Sequence, residues 1–173
     1  MIETDDDRNG LRVLAGSRVY PYVLAYVEKN FENARLLSAI IGHGATAFEV
    51  LAVAGEETGY GRSDPARRYG NYFGLHSRRD GPSHYFPGQQ GIEPRGKKPP
   101  LATYDPASGF YYSGLQFATR LRGVEATLDL ANPATFFSLA HKHGWGHGNP
   151  TYMKDVESVY LNVLRAARAA SLK

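Results

Sequence analysis

Between Gly59 and Thr103 the chain carries Pro82, Pro87, Pro94, Pro99 and Pro100, so no long helix can cross that stretch. Each proline removes a backbone donor, and its ring clashes with the preceding turn. Glycines and aromatics are dense there, and no helical stripe persists. A segment of that length is too long to be structureless inside a compact domain, so it is expected to form a lobe or lid containing a short hairpin.

On either side, apolar residues recur with a helical period. Tyr22, Tyr26 and Val27 mark a short helix after Pro21. Leu36, Leu37, Ile40 and Ile41 mark a second, stopped by Gly42-His43-Gly44. A third is predicted from Ala45 or Thr46 to about Glu57. Beyond the lobe, Asp105-Pro106, Asn132-Pro133 and Asn149-Pro150 each offer a capping side chain followed by proline at the first helical position. In the last helix Tyr152, Val156, Val159, Tyr160, Val163, Leu164 and Ala167 share one face. The reading is all-α, α+β at most, with one irregular lobe or short β-hairpin. Residues 1–16, with Glu3, Asp5, Asp6 and Asp7, read as a flexible acidic lead, and residues 17–173 as a single domain.

A chain of 173 residues can close a hydrophobic core unaided, and with no cysteine it can hold neither a disulfide nor a thiolate. No stretch approaches the roughly 20 apolar residues that span a bilayer, so membrane insertion is not expected. The N-terminus lacks the basic and apolar regions of a signal peptide. Delivery by a phage or a dedicated secretion machine is therefore expected for any substrate outside the cytoplasm. Between Glu57 and Tyr104 eight Lys and Arg face four acids. That balance suits an anionic polymer, either nucleic acid or a cell-wall glycan bearing peptide carboxylates, and equally a solvated loop.

Val50, Val53 and Ala54 precede Glu57 by seven, four and three residues, so all share its helix face. Glu56 follows Glu49 by seven, which assigns both to an opposite, polar side. Glu56 is thus expected to be solvated and Glu57 to end an apolar stripe. Burial disfavours a carboxylate and raises its pKa, as a glycosidase's general acid requires. Gly55 and Gly59 are expected to give a polymer room, and Tyr60 to supply an aromatic face. The plainer alternative is a Glu57–Arg62 ion pair near a helix end.

Ala54-Gly-Glu-Glu57-Thr-Gly-Tyr-Gly61-Arg-Ser resembles the signature of the glucosaminidase family of bacterial cell-wall hydrolases, in which the Glu is the general acid. Gly70-Asn71-Tyr72-Phe73-Gly74-Leu75 is similar to that family's second motif, Tyr104-Asp105 followed by Phe110 to its third, and Pro150-Thr-Tyr152 to its fourth. The resemblance runs from about Arg35 to Leu164. It departs at Gly70, where the family has Asn, and at Gly146, where the family often has a tyrosine that Trp145 can replace. It implies a lysozyme-like helical domain with a substrate groove, acting on peptidoglycan glycan strands without cofactor or metal. It also implies a second acid on the lobe near Glu93, for which Asp64 and Asp80 are the other lobe acids and a solvent-exposed Glu93 beside Arg95 the alternative. Substrate contacts are expected from Tyr60, Asn71, Tyr72, Phe73, Tyr104, Trp145 and Tyr152.

His141, His143 and His147 have a spacing that can gather zinc, but no carboxylate or Cys completes the set, and a polar glycine-rich turn is the simpler reading. Two rivals to a glucosaminidase remain open on the sequence, a muramidase or lytic transglycosylase and a non-catalytic wall-binding module; a nucleic-acid binder is a third reading of the basic stretch, and no nucleic-acid partner is expected. A monomer is expected.

Overall fold

The computed structural model describes residues 4–6, 12–14, 19–77, 85–122 and 127–173. Within the acidic lead, β1 (Thr4–Asp6) and β2 (Arg12–Leu14) pair antiparallel. Helix α1 (Pro21–Ile41) is one continuous element where two short helices were expected. Nothing between Tyr22 and Ile41 is Gly or Pro, so nothing breaks it. Its buried stripe passes through Val23, Val27, Ala34, Leu37 and Ile41, which leaves Tyr22 and Leu36 exposed.

Helix α2 (Ala47–Thr58) starts with a reciprocal cap. Thr46 accepts from the Phe48 amide, and Glu49 accepts from the Thr46 amide and hydroxyl. The helix runs through the centre of the protein, against α1, α5 (Pro133–Lys142) and α6 (Tyr152–Ala169). Residues Val50 to Gly55 are all buried, so α2 has no polar side. That corrects the assignment of Glu49. It is fully buried, caps the helix and accepts from the Tyr160 hydroxyl (3.3 Å), while burial raises its pKa. Gly55 and Gly59 also differ from expectation. A side chain at Gly55 would press on Val159 of α6, and Gly59 ends α2 in the left-handed conformation.

The lobe opens with α3 (Asp64–Tyr69), capped by the Ser63 hydroxyl. The expected hairpin follows as β3 (Gln89–Arg95) and β4 (Lys98–Tyr104), an antiparallel ribbon with Glu93 opposite Leu101 and Arg95 opposite Lys98. A two-stranded ribbon consists only of edges, where Pro94, Pro99 and Pro100 are tolerated. Asp80 lies outside the described residues.

Helix α4 (Gly109–Leu121) begins later than Asp105-Pro106 suggests, because Asp105 spends its carboxylate on the Ala107 amide and Ser108 hydroxyl of the preceding turn. Helix α5 starts where the sequence places it, with Asn132 capping and Pro133 at the first position. Helix α6 begins later than Asn149-Pro150 suggests, at Tyr152, because Asn149 spends its side-chain oxygen on the Thr151 amide and hydroxyl in the turn ahead of it. The protein is thus mostly helical, with short antiparallel ribbons. Among the described residues no helix is long and apolar enough to cross a membrane.

Candidate functional site

Glu57 occupies the last turn of α2, and the residues after it are folded by Thr58. The Thr58 hydroxyl donates to the Ala54 carbonyl (2.5 Å) and accepts from the Gly61 amide (2.8 Å), closing the Thr-Gly-Tyr-Gly turn onto the helix. Tyr60 takes a positive φ of 60°, and its hydroxyl accepts from Asn162 (3.0 Å).

The 70–75 segment forms the floor opposite. Asn71 is fully buried. Its amide donates to the carbonyls of Leu75 (2.8 Å) and Ala102 (2.9 Å) and accepts from the Leu75 amide (2.9 Å). Both of its donor hydrogens are therefore committed to the loop and to β4. The Phe73 carbonyl accepts from the Trp145 indole (3.0 Å), which ties this segment to the loop after α5.

Glu57 lies between these two loops. One carboxylate oxygen accepts from the Gly146 amide (3.0 Å), and the other faces Gly74, where an added Cβ would stand 3.0 Å away. Gly146 is more than a missing tyrosine. Its φ is +66°, and a Cβ there would meet the Tyr152 ring at 1.9 Å. Burial raises the Glu57 pKa, and the Gly146 amide partly offsets the rise. A groove of about 610 Å³ opens beside Glu57, lined among others by Asn71, Phe73, Leu101, Trp145, His76, Arg95, Arg120, His143 and His147. Among the described residues lining it, Glu57 is the only carboxylate.

The neighbouring acid departs from the expected solvated state. Glu56 is half-buried, with a pKa pushed up to about 7, first by burial and then by the Glu57 charge. Asn149 bridges it to Asp155, at 3.5 and 3.2 Å. Arg62, the imagined partner of Glu57, instead lies over the Tyr22 ring (3.9 Å) and donates to the Gly59 carbonyl.

Of the other expected residues, Asn71, Phe73 and Trp145 line the groove. Tyr72 packs edge-on against Phe110 in the core, Tyr104 is buried, and Tyr152 is buried with its ring stacked on His141. Tyr60 packs on Tyr22 and Tyr26. Glu93 is half-buried on β3, beside Tyr69, whose hydroxyl pKa it raises, and is not among the residues lining the groove. His141 donates to the Trp145 carbonyl (2.8 Å), and no group of three or more His, Asp or Glu is placed to hold a metal among the described residues. The sequence did not single out Gly74, His76, Arg95 or Arg120 for the site. For Arg95 the only signal was the basic stretch around it.

No protein-family model matches the chain, and a search of curated proteins finds no match. Among solved structures the chain is similar to one from a type VI secretion system effector–immunity complex of Pseudomonas protegens. The TM-score is 0.63 at 19% identity, over 86% of this chain and 95% of that one. At that identity the likeness is one of fold.

Proposed function

We propose that the protein is a peptidoglycan-cleaving glycosidase in which Glu57 is the general acid. The observation that carries the reading is a raised-pKa carboxyl, held by a backbone amide, on the wall of a groove large enough for sugar rings. Glu57 gives its proton to the glycosidic oxygen as the C1–O bond breaks, and water completes the hydrolysis at C1. The bond proposed is the β-1,4 linkage after N-acetylglucosamine, as the motif resemblance implies.

The lone carboxylate in the described lining favours a second reading on the same site: the substrate's own N-acetyl group assists, or one Glu acts as both acid and base, as in a lytic transglycosylase or single-acid muramidase. Glu93 remains the candidate second acid in the first reading, and it would have to move into the groove, which it does not line, to serve. The fold likeness supports delivery by a secretion system and neutralisation by a dedicated immunity protein.

The test is digestion of purified wall with mass spectrometry of the reduced products. A reduced N-acetylglucosamine end is expected, with or without N-acetyl assistance, and a muramic or anhydro end would transfer the assignment to the single-acid muramidase or transglycosylase. Glu57→Gln should lower turnover by about a thousandfold or more while still sedimenting with wall. Undiminished turnover in that variant would overturn the role of Glu57, and a wild type without turnover would leave a wall-binding module.

A further inference from the structure

The proposed chemistry gives no role to Glu56, the carboxyl next to the acid. It is half-buried near the end of α2 and is not among the described residues lining the groove, so it can act on the reaction only through other groups. Asn149 is such a group. Its side-chain amide donates to the Glu56 carboxylate at 3.5 Å and to Asp155 of α6 at 3.2 Å, while its side-chain oxygen accepts from Thr151. Asn149 is also one end of a tight turn, in which its backbone amide donates to the Gly146 carbonyl (3.0 Å). Gly146, the other end, donates its own amide to Glu57 (3.0 Å). Consecutive glutamates of one helix thus hold the two ends of one turn.

That turn needs holding. Gly146 and Gly148 within it have φ of +66° and +84°, and glycine leaves the backbone free to leave such conformations. The indole bond of Trp145 to Phe73 fixes the residue before the turn, not the direction of the Gly146 amide. An amide stabilises a carboxylate only while it points at it. Resting on the glycosidase reading, we infer that Glu56 is a positioning residue: it holds Asn149, so that the 146–149 turn keeps the Gly146 amide on the acid. The charges around Glu56 fit that role. Glu57 on α2 and Asp155 on α6 both repel it, and the two donor hydrogens of the Asn149 amide serve Glu56 and Asp155 together. Without that amide the two carboxylates would face each other unbridged.

The test reads turnover of purified wall and, separately, hydrogen exchange of the Gly146 amide by NMR. Glu56→Ala removes the acceptor, whereas Glu56→Gln keeps an oxygen to which Asn149 can donate. Glu56→Ala should lower kcat about five- to tenfold with KM changed less than about twofold, and Glu56→Gln should recover most of that loss. Adding Asn149→Ala to Glu56→Ala should cost little beyond Asn149→Ala alone, since both cut one linkage. The Gly146 amide should exchange about tenfold faster in Glu56→Ala, and also in Asn149→Ala, than in the wild type or Glu56→Gln. Unchanged far-UV circular dichroism would establish that each variant folds. A kcat in Glu56→Gln as low as in Glu56→Ala would mean that Glu56 acts by its own proton or charge, and the positioning role would be overturned. Multiplied losses in the double variant, or unchanged Gly146 exchange in the two alanine variants, would overturn it as well. The exchange is read without substrate, so a wild type that leaves wall uncut defeats the glycosidase reading alone.

Discussion

Gly146 holds a position that no other residue fits, and the reasons are steric and electrostatic together. Among the described residues its amide is the group that offsets the burial of Glu57, and its missing side chain is what allows the Tyr152 ring to stand behind it. In Gly146→Ala the new Cβ must displace either a ring that is 1% exposed or the backbone that carries the amide. Overpacking and a positive φ together should cost about 1–3 kcal/mol or more, measured by urea unfolding. The consequence for Glu57 has a definite sign. Losing a hydrogen bond to the charged form raises the pKa further, so the alkaline limb of the pH–rate profile should move to higher pH while kcat falls. An unmoved limb would mean that the amide is not what tunes this carboxyl.

Helix α2 concentrates three acids in a protein interior, and its pH behaviour follows. Burial raises the pKa of Glu49, Glu56 and Glu57, and for Glu56 the folded value is about 7 against an ordinary 4.5. Over that window these acids bind more protons in the folded protein than in the unfolded chain, so their contribution to stability is full below pH 4.5 and is lost as pH rises through about 7. The melting temperature should therefore drop between pH 5 and 7.5, and Glu56→Gln should shrink the drop. A drop of unchanged size would place the proton uptake on the other two acids. The same helix marks where sequence legibility ended. Its Thr46 start, the Asn132-Pro133 start of α5 and the face of α6 were legible because caps and periodicity are local. The polar side assigned to Glu49 and Glu56 was not, because a helical wheel cannot tell which helix the others will surround. Asn71 shows the same limit at the site. Its place in the motif was readable, but its commitment to Leu75 and Ala102 depends on where β4 docks.

At the scale of the whole molecule, the groove is a seam between the helical core and the ribbon-bearing lobe, and Trp145 joins them. Its indole donates to Phe73 of the lobe segment, and its ring meets Phe117 of α4 edge-on at 4.6 Å, within the aromatic core. The chain contains a single tryptophan, so intrinsic fluorescence reports this seam directly. If the seam opened before the core, fluorescence would change at lower urea than far-UV circular dichroism, which follows the helices. The buried indole bond and the Phe117–Phe136–Phe137 packing behind it argue for one cooperative unit, because loosening Trp145 exposes core aromatics. Coincident transitions by the two probes are expected. In Trp145→Phe the Phe73 carbonyl loses its donor, at a cost of about 1–3 kcal/mol for a buried unsatisfied group. The Gly74 floor beneath Glu57 then loses its tether, so kcat should fall even though the acid itself is untouched. An early fluorescence transition in the wild type would instead make the lobe a separately melting unit, able to open the groove without unfolding the core.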